Sequence, residues 1–396
     1  MLTSLALIFI VGITLGFIFE KIKVPRLVGM LLTGIVLGPY LLNLIDNSIL
    51  EISADLRQLA LIIILIKAGL SLNIADLKKV GRPAILMSFV PAVFEIIAVI
   101  IFAPMLLNIT YTQAAIMGAV LGAVSPAVVV PKMVALMEDG YGTKKSIPQM
   151  ILAGASLDDV FVIVLFTSFV GLEQGNGLSA WSFFQIPVSI VLGIALGLAV
   201  GFVLSFVFRK IHMRDSAKVV VLLGFSCLLV AAENWLKDIV PLSGLLAVMG
   251  MAIIIQLKRN EASKRLSRKF SHLWVAAEIV LFVLVGAAVD IRYALSSGVF
   301  SVVFVILIAL LIRCVGVFCC LIKTPLNYKE RVFCAISYLP KATVQAAIGS
   351  VPLALGLGCG QIVLTVAVVS IILTAPLGAF AMDLTYKKLL TKEDNE

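Results

Sequence analysis

Apolar runs of eighteen residues or more recur from one end of this 396-residue chain to the other. Each is long enough to cross a hydrocarbon core about 30 Å thick as a helix. Thirteen can be drawn, at roughly 2–20, 25–44, 56–73, 83–108, 111–137, 147–172, 181–208, 216–236, 241–257, 270–289, 294–322, 329–356 and 360–386. They leave only short connections, so the pattern predicts an all-α integral membrane protein. It forms a single transmembrane domain, 1–386, with a short tail, 387–396. Charged residues are 13% of the chain against roughly 25% in soluble domains, and 61% are hydrophobic. Cytosolic enzymes, nucleic-acid binders and secreted disulfide scaffolds are excluded. The first run has no basic segment before it and no small-residue cleavage site, so it reads as a span and not a removable signal. Six Cys and two His (His212 and His272) follow no metal-ligand spacing and read as structural.

The net charge of +9 is distributed by side. Of the 31 Lys and Arg, 25 fall in connections after odd-numbered spans, in the span ends that adjoin them and in the tail. Arg57, Lys237 and Arg292 lie on the other side. The positive-inside rule then places the N-terminus outside and the C-terminus in the cytoplasm. The basic excess faces anionic lipid headgroups, not nucleic acid.

Lys67, Arg313 and Lys341 fall inside spans three, eleven and twelve. Glu95, Asp158 with Asp159, and Glu278 fall inside spans four, six and ten. A charge in the bilayer costs several kcal/mol unless it is paired or hydrated, so each is a functional candidate. Thirteen spans divide as six, one connector and six, which inverts the second half relative to the first. At that offset span five carries Ser125-Pro126 and Pro131, while span twelve carries Pro340-Lys341 and Gly349 to Pro352. Proline removes a backbone donor, and interrupted helices at corresponding places in two halves point to a transporter binding site. Spans four and eleven, with Glu95 and Arg313, also correspond, as do spans three and ten, with Lys67 and Glu278. Lys341 is placed to neutralise half-helix carbonyls or to pair with an acid. For Lys67, Lys341 and Glu278, bundle packing and transport both remain open.

Ser156-Leu-Asp158-Asp159 lies in span six. Adjacent helical residues point about 100° apart, so one carboxylate can face a cavity while the other faces a neighbouring helix. A half-desolvated carboxylate holds either a proton or a hard cation. Competition for one set of oxygens is the simplest exchanger. The plainer reading has both aspartates joining helices through buried hydrogen bonds.

The run Glu138 to Pro148, Ser125 to Pro131, Ser156 to Asp159, and above all Leu339 to Ser350 resemble the monovalent cation/proton antiporter superfamily, closest to its NHA subgroup of sodium/proton exchangers. The resemblance spans about 55–385. It implies the NhaA/NapA-like fold, with two crossed discontinuous helices, spans five and twelve. A dimerisation part, roughly 1–55 and 181–269, flanks an ion-transporting core, roughly 56–172 and 270–386, in a homodimer. It further implies that Asp159 carries the Na⁺, Li⁺ or proton, that Asp158 supports it, that Ser125 and Ser156 belong to the same site, and that Glu95 and Arg313 form a core charge pair. Electrogenic relatives carry Lys where this chain has Arg313. Arg does not release its proton, which favours electroneutral exchange, whereas the retained Asp-Asp pair argues the other way. No cofactor is expected, and a bacterial plasma membrane fits the charge pattern.

Two alternatives stay within transport: potassium/proton antiport, or sodium-coupled organic-anion transport on a related fold. The short tail leaves no nucleotide-binding domain of the kind potassium systems append. An intramembrane aspartyl protease needs aspartates from two helices, and a channel needs a selectivity-filter sequence. Neither is present, nor is a Walker motif.

Overall fold

The computed structural model describes residues 1–71, 81–174, 180–211, 213–236, 242–296 and 298–392. His212, Lys78, Lys79, Lys237 and the last four tail residues lie outside them, as does the side chain of Ser156. Among the described residues the chain is helical, with no strand. Nine helices among the described residues are long and apolar enough to cross a membrane, and three shorter apolar stretches there cover 26–37, 244–258 and 343–354.

The chain divides into two compact units. The first comprises Met1–Glu51, Asn73–Val170 and Phe282–Glu396. It opens with α1 (Leu2–Lys21) and α2 (Arg26–Leu37), followed by the short α3 (Asn47–Glu51). Helix α2 lies so close to the segment from Val283 to Ala287 that a Cβ on Gly34 or Gly286 would overlap the opposite backbone. Small residues permit such approach where apolar burial gives helices no reason to associate in lipid.

The second unit, Ile52–Leu72 with Gly171–Leu281, is built on α4 (Ser53–Ser71) and four helices that follow the first unit's middle segment. In that segment come α5 (Arg82–Met87), α6 (Val90–Leu107), α7 (Tyr111–Leu121), α8 (Pro126–Glu138) and α9 (Ile147–Glu173). The second unit continues with α10 (Ala180–Lys210), α11 (Asp215–Leu236), α12 (Gly244–Lys258) and the larger part of α13 (Asn260–Ala287). Gly193, Gly197 and Gly201, one turn apart on α10, face the α12 segment Ser243, Ala247 and Met251. The Ser263 hydroxyl donates to Leu70 O at 2.8 Å, tying α13 to α4. Gly244 N–H donates to Glu233 at 2.9 Å, which gives an orphan amide at the start of α12 an acceptor.

The first unit closes with α14 (Ile291–Ser296), α15 (Val299–Cys320), α16 (Tyr328–Ser337), α17 (Thr343–Ile348), α18 (Val351–Ala354) and α19 (Gly360–Leu389). Helices α6 and α15 pack along one another, and Gly316 meets Pro91 and Phe94 there. The helices that lead into the two breaks carry reciprocal caps at their starts, Thr110 with Gln113 for α7 and Asn327 with Glu330 for α16. All six cysteines are free thiols.

Candidate functional site

Two interrupted helices cross in the first unit. Helix α7 ends at Leu121, and α8 starts at Pro126, whose missing N–H costs nothing at a first helical position. Between them the backbone runs extended, with Ser125 at φ −84° and ψ 110°. Pro131 sits inside α8 and does not interrupt it, so the first break precedes Pro126. Helix α16 ends at Ser337, and residues 338–342 lead to α17; Gly349-Ser350 then separates α17 from α18. The breaks touch directly, because Ser125 N–H donates to Pro340 O at 2.8 Å.

Charged side chains from four elements meet at this crossing. Arg313, mid-way along α15, is fully buried and donates to Glu95 of α6 at 2.5 Å and to Asp158 of α9 at 2.9 Å. Its guanidinium also donates to the Gly122 carbonyl and lies 5.4 Å from the centre of the Tyr338 ring. Lys341, in the second break, donates to Glu95 and to Leu121 O, both at 2.6 Å. Its backbone N–H is taken by Thr374 Oγ1 at 2.9 Å. Val124 N–H donates to Asp158 Oδ2 at 2.8 Å, so a carboxylate from the long helix α9 holds the first break from the side. Lys341 thus both pairs with an acid and donates to a carbonyl, and that carbonyl belongs to the other interrupted helix.

The predicted residues therefore fall into three groups. Glu95, Arg313, Lys341 and Asp158 form one buried network. Asp159, half-buried, follows Asp158 on α9 outside that network, and its Oδ1 is a buried atom with no hydrogen-bond partner. Asp158 Oδ1 and the fully buried Ser125 Oγ are likewise unpartnered. Lys67, on α4, and Glu278, on α13, belong to the second unit. Sequence reasoning missed Gln345 of α17, which is fully buried and whose amide reaches the first break. It lies within the Leu339 to Ser350 run that carries the family resemblance, but an uncharged amide in an apolar run draws no role by itself.

Two carboxylates are satisfied by two bases, and a third carboxylate follows directly in the chain. With all five groups ionised the net charge is −1. A buried site holds such an excess only at a cost. Carboxylate and hydroxyl oxygens suit a proton or a hard cation.

Comparison with known proteins gives the family. The family model described as sodium/hydrogen exchanger, transmembrane, matches residues 5–383. Sodium/hydrogen exchanger 9B2 of Mus musculus is 32% identical over 416 residues, covering 100% of this chain and 75% of the mouse protein. The Homo sapiens 9B2 protein is 33% identical and covers 94% of this chain and 71% of its own length. The sodium proton antiporter MjNhaP1 from Methanocaldococcus jannaschii has a similar fold, with a TM-score of 0.83 at 21% identity over 97% of both chains. With nine membrane-length helices among its described residues, the protein is a multi-pass membrane protein. The chain belongs to the sodium/hydrogen exchanger family, a family of transporters and not of enzymes.

Proposed function

We propose that the protein is a secondary antiporter in which Na⁺ or Li⁺ and H⁺ compete for the oxygens of Asp159, Asp158 and Ser125, with Ser156 beside them on α9. The observation that carries this reading is the single uncompensated negative charge next to three unpartnered buried oxygens. Asp159 is the group that changes its load, because Asp158 already accepts from Arg313 and Val124. Glu95, Arg313 and Lys341 are the fixed charges of the crossing.

Exchange is one cation for one proton and electroneutral. Arg313 keeps its proton, and Lys341 is committed to Glu95 and Leu121 O. Either substrate ion then restores the same net charge of zero, and only the neutral forms reorient. Alternating access follows from the two crossed breaks. The arrangement we propose has thirteen spans in a six, one and six inverted repeat, N-terminus outside and C-terminus in the cytoplasm. It is supported by the side-to-side asymmetry of Lys and Arg. The protein forms a homodimer through 1–55 and 181–269, while 56–172 and 270–386 carry the ion. This functional division differs from the packing units, in which 1–51 groups with the charged crossing. A bacterial plasma membrane is the proposed location, with surrounding lipids as the only other partner and no cofactor. Lys67 and Glu278 act in packing in this scheme.

The test uses purified protein in liposomes with an internal pH dye and imposed sodium, lithium or potassium gradients. Sodium and lithium are expected to move protons in the wild type and not in Asp159→Asn, at a rate unchanged by clamping the membrane potential. A response to potassium alone selects the potassium/proton alternative. Labelled sodium moving only together with an organic anion selects the symport alternative. A rate that follows the imposed potential overturns electroneutrality and leaves antiport standing.

A further inference from the structure

Four consecutive carbonyls at the end of α7 each accept a hydrogen bond from a side chain far away in sequence. Val120 O takes Gln345 Nε2 at 3.1 Å, and Leu121 O takes Lys341 Nζ at 2.6 Å with Gln345 Nε2 at 3.4 Å. Gly122 O takes Arg313, and Ala123 O takes Gln345 Nε2 at 2.9 Å. These are the orphan acceptors that any helix end leaves. They are also the carbonyls that an unwound transporter helix otherwise offers to a cation. One neutral amide serves three of the four. Its orientation is fixed from the other side, because Ala342 N–H donates to Gln345 Oε1 at 2.8 Å. The reversed amide would set an oxygen against three carbonyl oxygens.

We infer that Gln345 is a positioning residue for the cation, closing the α7 carbonyls to it and fixing segment 122–125 so that Ser125 Oγ stays with the Asp158 and Asp159 oxygens. The inference rests on the antiport reading above. Gln345 joins the two breaks without adding charge: its oxygen caps the start of α17, and its nitrogen caps the end of α7. A third cation there would cancel the excess negative charge that the substrate ion must meet. An apolar residue would leave Val120 O and Ala123 O free to turn toward the ion and draw it away from Asp159.

The experiment compares wild type, Gln345→Met and Asp159→Asn in the same liposomes, with melting and size-exclusion profiles of each. Methionine keeps nearly the length of glutamine and removes every donor. In folded Gln345→Met the KM for sodium is expected to rise about tenfold with kcat within about twofold, and the KM ratio of lithium to sodium to change. A purely structural role lowers the folded yield and leaves KM of the folded fraction at the wild-type value, which overturns the inference. If Gln345→Met yields no folded protein, Gln345→Asn, which keeps the amide but withdraws it by one methylene, supplies the same measurement. Failure of both to fold, where Asp159→Asn folds, makes Gln345 structural and also overturns it. If wild type moves no protons with sodium or lithium, the antiport reading itself has failed and takes this inference with it. If wild type is active and the KM values match, Gln345 alone has been misread.

Discussion

The two breaks solve the same problem with opposite chemistry. The first, between Leu121 and Pro126, exposes carbonyls, and they are met by Arg313, Lys341 and Gln345, all from the last quarter of the chain. The second, between Ser337 and Thr343, exposes N–H groups at Lys341 and Ala342. Neutral acceptors meet these, Thr374 Oγ1 and Gln345 Oε1. Formal charge is therefore concentrated at one break only. The inverted repeat suggested by the sequence is chemically lopsided at its centre: apart from the Ser125 N–H bond to Pro340 O, the bonds that cross between the halves there are donated by side chains of the second half and accepted by the first. A half-helix C-terminus attracts cations. In the proposed scheme, filling it with protein cations and one amide leaves the aspartate pair of α9 as the place for a mobile cation.

This asymmetry makes the first break the more costly one to disturb, and Arg313 the most costly residue in it. Arg313→Met strips donors from Glu95, Asp158 and Gly122 O together, leaving two buried carboxylates with reduced compensation. A loss of about 3–5 kcal/mol is expected, read as collapse of the monodisperse fraction and of the melting temperature in detergent. Arg313→Lys should fall between, since one ammonium does not match the planar fork that reaches both acids. Melting of Arg313→Met at the wild-type temperature would remove the basis of the comparison. Lys341→Met comes next, at about 2–3 kcal/mol. It is milder because Glu95 keeps Arg313 and Leu121 O keeps the amide of Gln345.

The reach of the sequence follows the same line. Glu95, Arg313 and Lys341 were visible because a charge inside an apolar run is costly enough to need a reason. The repeat offset brought Glu95 opposite Arg313, and they do bond. Asp158 was different. It has no basic neighbour along the chain, and its partner Arg313 lies 155 positions away on a helix that the repeat assigns to Glu95. Only the crossing in space creates that bond. As a result Asp158 joins helices through buried hydrogen bonds while Asp159 stands apart. Periodicity could not divide the two, because consecutive residues differ only in direction. Gln345 went unread because an amide carries no charge penalty, and Pro131 was over-read because a proline within a helix can be accommodated in a membrane. The break instead needed an extended Ser125 ahead of a first-turn proline.

At the second break the disturbance should be smaller, since only one neutral hydrogen bond is at stake. Thr374→Val keeps the shape of the side chain and leaves the buried Lys341 N–H without its acceptor. A cost of about 1–2 kcal/mol is expected, read as a modest fall in melting temperature. If Thr374→Val is as damaging as Lys341→Met, the neutral break matters as much as the charged one and the contrast drawn here is wrong.

Lys132 and Asp383 sharpen the contrast from its weak end. They make a two-pronged ion pair, 2.7 and 2.6 Å, between α8 and α19. Its geometry is as short as that of the buried pairs, yet the side chains are 36% and 43% exposed. Water and salt therefore screen what burial leaves unscreened at Arg313. Asp383→Asn should cost less than about 0.5 kcal/mol and leave the sodium KM untouched, and raising the salt concentration should narrow even that difference between mutant and wild type. A larger effect that persists at high salt would mean that this pair holds α8 and α19 in register. The charge that positions the first break would then extend beyond the buried crossing to the exposed end of the same interrupted helix.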